Sequence, residues 1–109
     1  MIEIGACVTV IVDRPMGSHH PSYPDMIYPI NYGYIDGVIA RDGEEQDAYV
    51  LGADKPLESF CGVVIAVIHR NNDVEDKLVV APQGASYTED EIIRLTEFQE
   101  KYFDITVVM

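Results

Sequence analysis

The stretch VVIAVIHRNNDVEDKLVV, residues 63–80, holds two apolar runs separated by a short polar segment. The first run, Val63–Ile68, is apolar throughout, which is typical of a strand covered on both faces. The second run, Lys77–Val80, is shorter and again rich in branched side chains. Between them, Asn72–Asp76 is mostly acidic or amide-bearing, as expected of a turn. The stretch therefore predicts two β-strands joined by an acidic turn.

The same kind of pattern extends toward the N-terminus, where three more apolar runs are separated by turn residues. These predicted strands are Ala6–Val12, Gly33–Ile39 and Ala48–Leu51. The intervening segment Arg14–Asn31 contains four prolines, which lack a backbone donor and fix their own φ, so it is predicted to be a loop. The last residues, Ile105–Met109, are expected to form a short strand or an apolar tail.

One helix is predicted near the end of the chain. Thr88 followed by Glu91 has the spacing of a capping box, and acidic residues fill the first turn. Apolar residues then recur at helical spacing and predict one buried stripe, at Ile92, Leu95, Phe98 and Tyr102. Five strands and one late helix, without alternation of strand and helix, predict a mainly β fold. We expect residues 1–109 to form a single small five-stranded barrel of the oligonucleotide-binding type with one C-terminal helix.

Composition narrows the function classes. Seven Lys and Arg residues against 19 Asp and Glu residues give a net charge of −12, which disfavours binding to nucleic acid or to an anionic membrane. The apolar runs are too short to span a bilayer, and the N-terminal residues do not resemble a signal peptide. Cys7 and Cys61 lie in apolar sequence and are expected to be buried free thiols. A cytoplasmic protein is the expectation.

Two acidic segments stand out between predicted strands. Asp42–Asp47 has four carboxylates in six residues, and Asn72–Lys77 is the second segment. Carboxylate oxygens near a barrel rim suit hard cations such as Mg²⁺. A solvated acidic turn explains the same residues equally well, so the pattern alone leaves both interpretations open.

The order of three motifs resembles family I soluble inorganic pyrophosphatases. The motifs are YPINYGYI at residues 28–35, DGEEQD at residues 42–47 and DKLV at residues 76–79. Members of that family carry a YPxNYGY segment, then a D-x-D-x-x-D signature, then an acidic turn that ends in Asp and Lys. The resemblance covers most of the chain from Val8 to Tyr102 and implies the same barrel that the residue pattern predicts.

The resemblance implies that aspartates hold Mg²⁺ or Mn²⁺, with Asp42, Asp47 and Asp76 as ligands and Asp73 as the fourth. Bound metal ions of this kind lower the pKa of a water and neutralise the leaving phosphate. Glu44 stands where the family has the Asp that accepts the proton of the water, and together with Asp47 it belongs to the implied catalytic group.

The resemblance also implies that Lys77 and Tyr32 act in catalysis and bind the substrate phosphates, with Tyr102 as a second phenol donor. A core position on the helix is an equally good interpretation of Tyr102. The family's basic residue after this tyrosine is Phe103 here, and its basic N-terminal hairpin is missing. Arg14, His19 and His20 occupy that region and are candidate substitutes, although a surface loop also explains the two histidines.

The implied function is metal-dependent hydrolysis of inorganic pyrophosphate by a metal-activated water, with weak activity because phosphate-binding cations are depleted. The alternative is metal-dependent binding, or slow hydrolysis, of another small phosphorylated ligand. Pyrophosphate or a similar phosphoanhydride is the expected partner, and a homo-oligomer is compatible with this reading. Lys77, taken as a surface residue, is expected to contribute well under about 1 kcal/mol to stability. Removal of Asp47 is expected to relieve repulsion in its loop.

Overall fold

A computed structural model of the chain describes residues 2–73 and 75–109. Met1 and Val74, which belong to the N-terminus and to the second acidic segment considered above, lie outside the described residues. The elements run in the order β1 (Cys7–Arg14), β2 (Asn31–Ile39), β3 (Glu45–Val50), β4 (Ser59–Arg70), β5 (Asp76–Ala81), α1 (Glu89–Glu100) and β6 (Ile105–Val108).

The sheet closes on itself. Its strand order is β1-β2-β3-β5-β4-β6, and β1 also pairs with β4, so that five strands form a closed barrel. Strand β4 makes this closure possible because it is 12 residues long. One edge of β4 pairs with β5, while the other edge pairs first with β1 and then, from Val67 onward, with β6. The predicted five-stranded barrel is therefore confirmed, with β6 added outside it.

The predicted elements all have counterparts with shifted bounds. Arg14 ends β1 and Asn31 begins β2, so the proline-rich segment between them is a loop, as predicted. The run Val63–Ile68 lies within β4, where Val64, Ala66 and Ile68 are buried and the residues between them are only half-buried. The terminal apolar residues form the strand β6. Among the described helices, none is long and apolar enough to cross a membrane.

Two clusters of buried side chains lie on opposite faces of the sheet. One cluster draws residues from all five barrel strands and fills the interior: Val10, Val12, Ile35, Ala48, Val50, Val64, Leu78 and Val80. The other covers the outer face between the sheet, the loop before β2 and α1, and includes Tyr28, Ile30, Tyr32, Tyr49, Leu51, Ala66, Ile68, Val79, Ala81 and Ile92. Tyr32 and Lys77 of the candidate site described below lie on this second face.

Gly33, within the YPINYGYI motif, allows the first two strands to approach closely. It pairs with Val12 across the β1–β2 ladder, and a Cβ atom added at Gly33 would collide with the carbonyl oxygen of Ile11. Only glycine therefore fits this position without a shift of the backbone.

Helix α1 begins as the sequence predicts. Thr88 Oγ1 accepts a hydrogen bond from the Glu91 backbone N–H at 3.1 Å, and the Glu91 carboxylate accepts one from the Thr88 N–H at 2.9 Å. Ile92 is buried, and Leu95 and Phe98 pack against the same cluster. Tyr102 does not continue this stripe, because the helix ends at Glu100 and the tyrosine is 64% exposed.

The prediction that both cysteines are buried is wrong. Cys7 and Cys61 are free thiols, but both are exposed. Alternation along β1 directs Val10 and Val12 into the barrel and leaves Cys7 and Thr9 on the solvent side, beside Cys61. An apolar sequence context therefore did not indicate which face of the strand each thiol occupies.

Candidate active site

The ammonium group of Lys77 is the centre of the candidate site. The parallel register of β3 and β5, which pairs Ala48 with Leu78, brings Asp47 beside Lys77. Lys77 Nζ donates to the Tyr32 hydroxyl at 2.9 Å and to Asp47 Oδ2, and forms an ion pair with Glu75 Oε2 at 2.9 Å. With 3% of its surface exposed, Lys77 uses its three N–H donors on three oxygens.

The charge states at this centre follow from its surroundings. Burial by itself lowers the pKa of Lys77, but the Tyr32 oxygen and the Asp47 carboxylate outweigh it and hold that pKa above its ordinary value. Burial raises the pKa of Tyr32 well above its ordinary value. Lys77 is therefore a permanent cation and Tyr32 a neutral phenol at neutral pH.

The acidic residues at the start of β5 divide between two faces of the sheet. Glu75 lies on the same side as Lys77, two residues away in an extended segment. Asp76 faces the other side, where its Oδ1 contacts His69 Nδ1 at 2.6 Å and Arg41 Nη2 at 3.4 Å. The structure thus brings Asp47 and Glu75 together around Lys77 and places Asp76 with a different set of partners.

The first acidic segment is a turn that leads into β3. Asp42 Oδ1 accepts a hydrogen bond from the Glu44 backbone N–H at 3.0 Å, and the pKa of Asp42 is lowered by that bond and by a hydrogen bond with the Glu75 side chain. The Glu44 side chain is exposed. Asp73 lies at the end of β4, where its carboxylate is 3.9 Å from Arg70 Nη1. Asp42 therefore lies near Glu75, and Asp73 near Arg70.

The donor types fit a hard divalent cation, since carboxylates from Asp42, Asp47 and Glu75 share one region. In the described residues, however, no three acidic, histidine or cysteine side chains converge as a ready group of metal ligands. Asp47 and Glu75 are instead turned toward Lys77. Metal binding by Asp42, Asp47, Asp73 and Asp76 stays a prediction.

Arg70 is a second buried cation, which the sequence analysis did not single out. Its Nε and Nη2 atoms donate to both oxygens of Glu100 at 2.9 and 2.7 Å, and its Nη1 donates to Glu75 at 2.9 Å. Glu100 also accepts a hydrogen bond from the Tyr49 hydroxyl at 2.6 Å. The Arg70 guanidinium lies 3.7 Å from the centre of the Phe103 ring. The Arg70–Glu100 ion pair therefore connects the end of α1 to the end of β4.

A cleft of about 990 Å³ opens above these residues. Its walls come from the loop before β2 and from the segment after α1. Of the chain's seven Lys and Arg residues, four line it: Arg14, Arg70, Lys77 and Lys101. The protein as a whole has a net charge of −12, so a group of four cations at one cleft is a local exception to its overall charge. Arg70 and Lys101 thus add to Arg14 and Lys77 two cleft-lining cations that the sequence pattern did not indicate.

The remaining predicted phosphate ligands have separate positions. Arg14 lines the cleft and donates to the Tyr28 hydroxyl at 2.8 Å. His20 also lines it, but its Nδ1 accepts hydrogen bonds from the backbone N–H groups of Ser22 and Tyr23, and burial, with a smaller effect of Arg14, lowers its pKa.

His19 is exposed and bonds through Nδ1 to the Pro24 carbonyl at 2.7 Å, and it is not among the residues that line the cleft. Tyr102 does line the cleft and is not a core residue. The structure thus brings Tyr102, His20 and Arg14 to one cleft, whereas His19 forms a hydrogen bond within its own loop.

A signal for the missed residues was present in the sequence. Thr96 and Glu100 follow Ile92 at intervals of four, so they share its buried face, and a glutamate on that face requires a cationic partner. The sequence does not show which of the chain's seven Lys and Arg residues is that partner, and the structure identifies it as Arg70.

Comparison with known proteins identifies the family of this chain. Residues 9–106 match the family model described as inorganic pyrophosphatase. The chain is 31% identical over 83 residues to an inorganic pyrophosphatase of Aeropyrum pernix, a match that covers 72% of this chain and 43% of that protein. The chain thus spans less than half the length of this curated relative.

Solved structures share the fold. An inorganic pyrophosphatase from Ehrlichia chaffeensis superposes with a TM-score of 0.70 at 16% identity and covers 95% of this chain and 85% of its own. One from Neisseria gonorrhoeae gives a TM-score of 0.64 at 22% identity, with 90% of this chain and 74% of its own covered. Since the family model spans nearly the whole barrel and its helix, this chain belongs to the inorganic pyrophosphatase family.

Proposed function

We propose that this chain hydrolyses inorganic pyrophosphate to phosphate in a metal-dependent reaction. The observation that carries the proposal is the buried Lys77, which is surrounded by Tyr32, Asp47 and Glu75 and opens onto a cleft lined by cations. A fixed cation in a place of restricted water access stabilises negative charge on a transferring phosphoryl group more strongly than a cation in water does.

The side chains have distinct proposed roles. Lys77 binds a substrate phosphate oxygen by its charge, and Tyr32, whose raised pKa keeps its proton, donates a hydrogen bond. Arg14 and Tyr102 hold the other end of the anion, and Glu44 accepts the proton of the attacking water. These roles follow the family resemblance and are supported by the positions of these groups at the cleft and at the adjoining turn.

Asp42 and Asp47, with Glu75 beside them, are the proposed holders of Mg²⁺ or Mn²⁺. When bound, such an ion makes a water more acidic and neutralises charge on the leaving phosphate. Asp76 and Asp73 are the further ligands that the sequence predicts. A cytoplasmic location and assembly into a homo-oligomer also stay predictions.

Colorimetric release of phosphate from pyrophosphate, with Mg²⁺, with Mn²⁺ and with a chelator, tests the activity. Release should require the metal and should fall at least about tenfold in Asp47→Asn, because a lost ligand or orienting carboxylate costs roughly that much. Asp54→Asn, at an exposed aspartate outside the cleft, is the matched control and should retain parental activity. No release with either metal would refute hydrolysis.

The second candidate function is metal-dependent binding of a small phosphorylated ligand without turnover. It is favoured by the ion pairs of Lys77 with Asp47 and Glu75, since carboxylates held in this way are less available to a metal. Calorimetric titration with pyrophosphate separates the two candidates: binding without phosphate release supports this one.

A further inference from the structure

The cleft is larger than a bare pyrophosphate ion needs. Clefts of roughly 300–1,000 Å³ hold drug-sized organic ligands, and this one, at about 990 Å³, lies at the upper end of that range. Pyrophosphate consists only of phosphorus and oxygen atoms and is strongly negatively charged. A site for that ion alone needs cations and hydrogen-bond donors and has no use for apolar walls.

The walls of the cleft nevertheless carry exposed apolar side chains. Tyr23 is 65% exposed and Tyr102 is 64% exposed, and Ile27 adds an exposed aliphatic group. Tyr23 and Ile27 come from the loop before β2, whereas Tyr102 follows α1, so two separate segments supply this surface. Rings exposed in this way offer their faces to a planar ligand.

Two cations at the cleft carry charge that the protein does not neutralise directly. Neither Arg14 nor Lys101 forms an ion pair with a carboxylate in residues 2–73 and 75–109. Arg14 donates to a neutral phenol, that of Tyr28, and Lys101 Nζ lies 5.3 Å from the centre of the Tyr102 ring. Arg70 and Lys77, in contrast, are paired with carboxylates.

We propose that this cleft binds a phosphorylated ligand that also carries an aromatic ring, of which a nucleoside 5′-diphosphate is the representative. The phosphates contact Arg14 and Lys101, and the ring stacks on Tyr23 and Tyr102. The proposal rests on the proposed function, because Arg14 holds a phosphate group in both, and it goes further by naming the class of ligand.

Calorimetric titration of the parent chain with ADP, pyrophosphate and adenosine tests the proposal. ADP should bind at least about tenfold more tightly than pyrophosphate, since one base stacked on an aromatic side chain contributes an affinity factor of roughly that size or more. Adenosine should bind weakly, because it lacks phosphates.

Variants identify the contacts. Tyr23→Ala should weaken ADP binding about tenfold and leave pyrophosphate binding unchanged, whereas Tyr102→Phe, which keeps its ring, should retain ADP affinity better than Tyr102→Ala. Ile39→Ala, at an equally exposed apolar residue (62%) outside the cleft, is the control for Tyr23. Lys101→Ala should weaken binding of both ligands, and Lys55→Ala, at another exposed lysine, should weaken neither.

Phosphate release from pyrophosphate, measured on the same samples, separates this proposal from the proposed function. If pyrophosphate is hydrolysed and ADP binds no more tightly than pyrophosphate, the ligand class is wrong and the activity stands. If ADP binds as expected and pyrophosphate is not hydrolysed, the activity is wrong and the ligand class stands. If ADP does not bind and Tyr23→Ala instead dissociates an oligomer, the apolar wall is an interface and the proposal is overturned.

Discussion

Replacing Lys77 with methionine removes one positive charge from a buried position and leaves a side chain of similar length. The sequence pattern predicts that Lys77 is a surface residue of little consequence for stability. The structure contradicts that premise, because Lys77 is 3% exposed and contacts three oxygens. Lys77→Met leaves Asp47 without its cation, while Glu75 keeps its ion pair with Arg70.

The expected loss of stability follows from burial of the partners. Breaking a fully buried ion pair by removing one partner costs about 3–5 kcal/mol. The side chains of Asp47 and Glu75 are 32% and 29% exposed, so water hydrates them after the change and the cost is reduced. We expect a loss of about 2 kcal/mol, which in a domain of this size lowers the melting temperature by roughly 10 °C.

Thermal unfolding followed by circular dichroism at pH 7 in metal-free buffer measures this loss. Lys55→Met, at an exposed lysine, is the matched control and should melt with the parent protein. A melting temperature of Lys77→Met within about 2 °C of the parent value would falsify the assignment of a buried structural cation. The same reasoning reverses the expectation for Asp47→Ala, which should now destabilise the fold because it removes a partner of the buried ammonium.

Three further predictions concern the helix and the strand contact that frame the site. Glu100→Gln should lower the free energy of unfolding by about 3 kcal/mol in urea denaturation, because the buried Arg70 loses its buried bidentate carboxylate partner. Gly33→Ala should cost about 3 kcal/mol in the same assay, because the added methyl group collides with the Ile11 carbonyl. The hydrogen bond from the N-cap backbone lowers the pKa of Glu91 from 4.5, so its contribution to stability is present above that pH and is lost as the pH falls through the folded-state pKa. Between pH 5 and the lowered pKa of Glu91, the melting temperature of Glu91→Gln should therefore fall less with decreasing pH than that of the parent protein.

Controls make these outcomes decisive. Glu97→Gln changes an exposed glutamate of the same helix and should leave urea stability unchanged, and equal losses in Glu97→Gln and Glu100→Gln would contradict the role of the buried pair. A Gly33→Ala variant as stable as the parent would show that the two strands separate without cost. Glu89→Gln, in the same helical turn, controls for the general effect of charge near the helix start.

Glu75 and Asp76, at the start of β5, could not be assigned to a face of the sheet from the sequence. Motif order identified Lys77 and Asp47, and their proximity follows from two adjacent strands in parallel register. The same motif predicted Asp76 as a metal ligand of the site. The fold instead brings Glu75 to the side of Lys77 and directs Asp76 toward His69. A one-residue difference in register decides which carboxylate faces the site, and register is set by pairing between distant strands.

The sequence alone determined the strands and the helix, because both depend on local signals, whereas closure of the barrel depends on the pairing of β1 with β4. Period, proline positions and the Thr88–Glu91 capping box act over a few residues, and each had its expected outcome in the structure. The tertiary structure decided the burial of Lys77, the Arg70–Glu100 pair and the gathering of four cations at one cleft. These features join residues far apart in the chain, and an isolated Arg or Glu in the sequence does not reveal which distant charge neutralises it when both leave water.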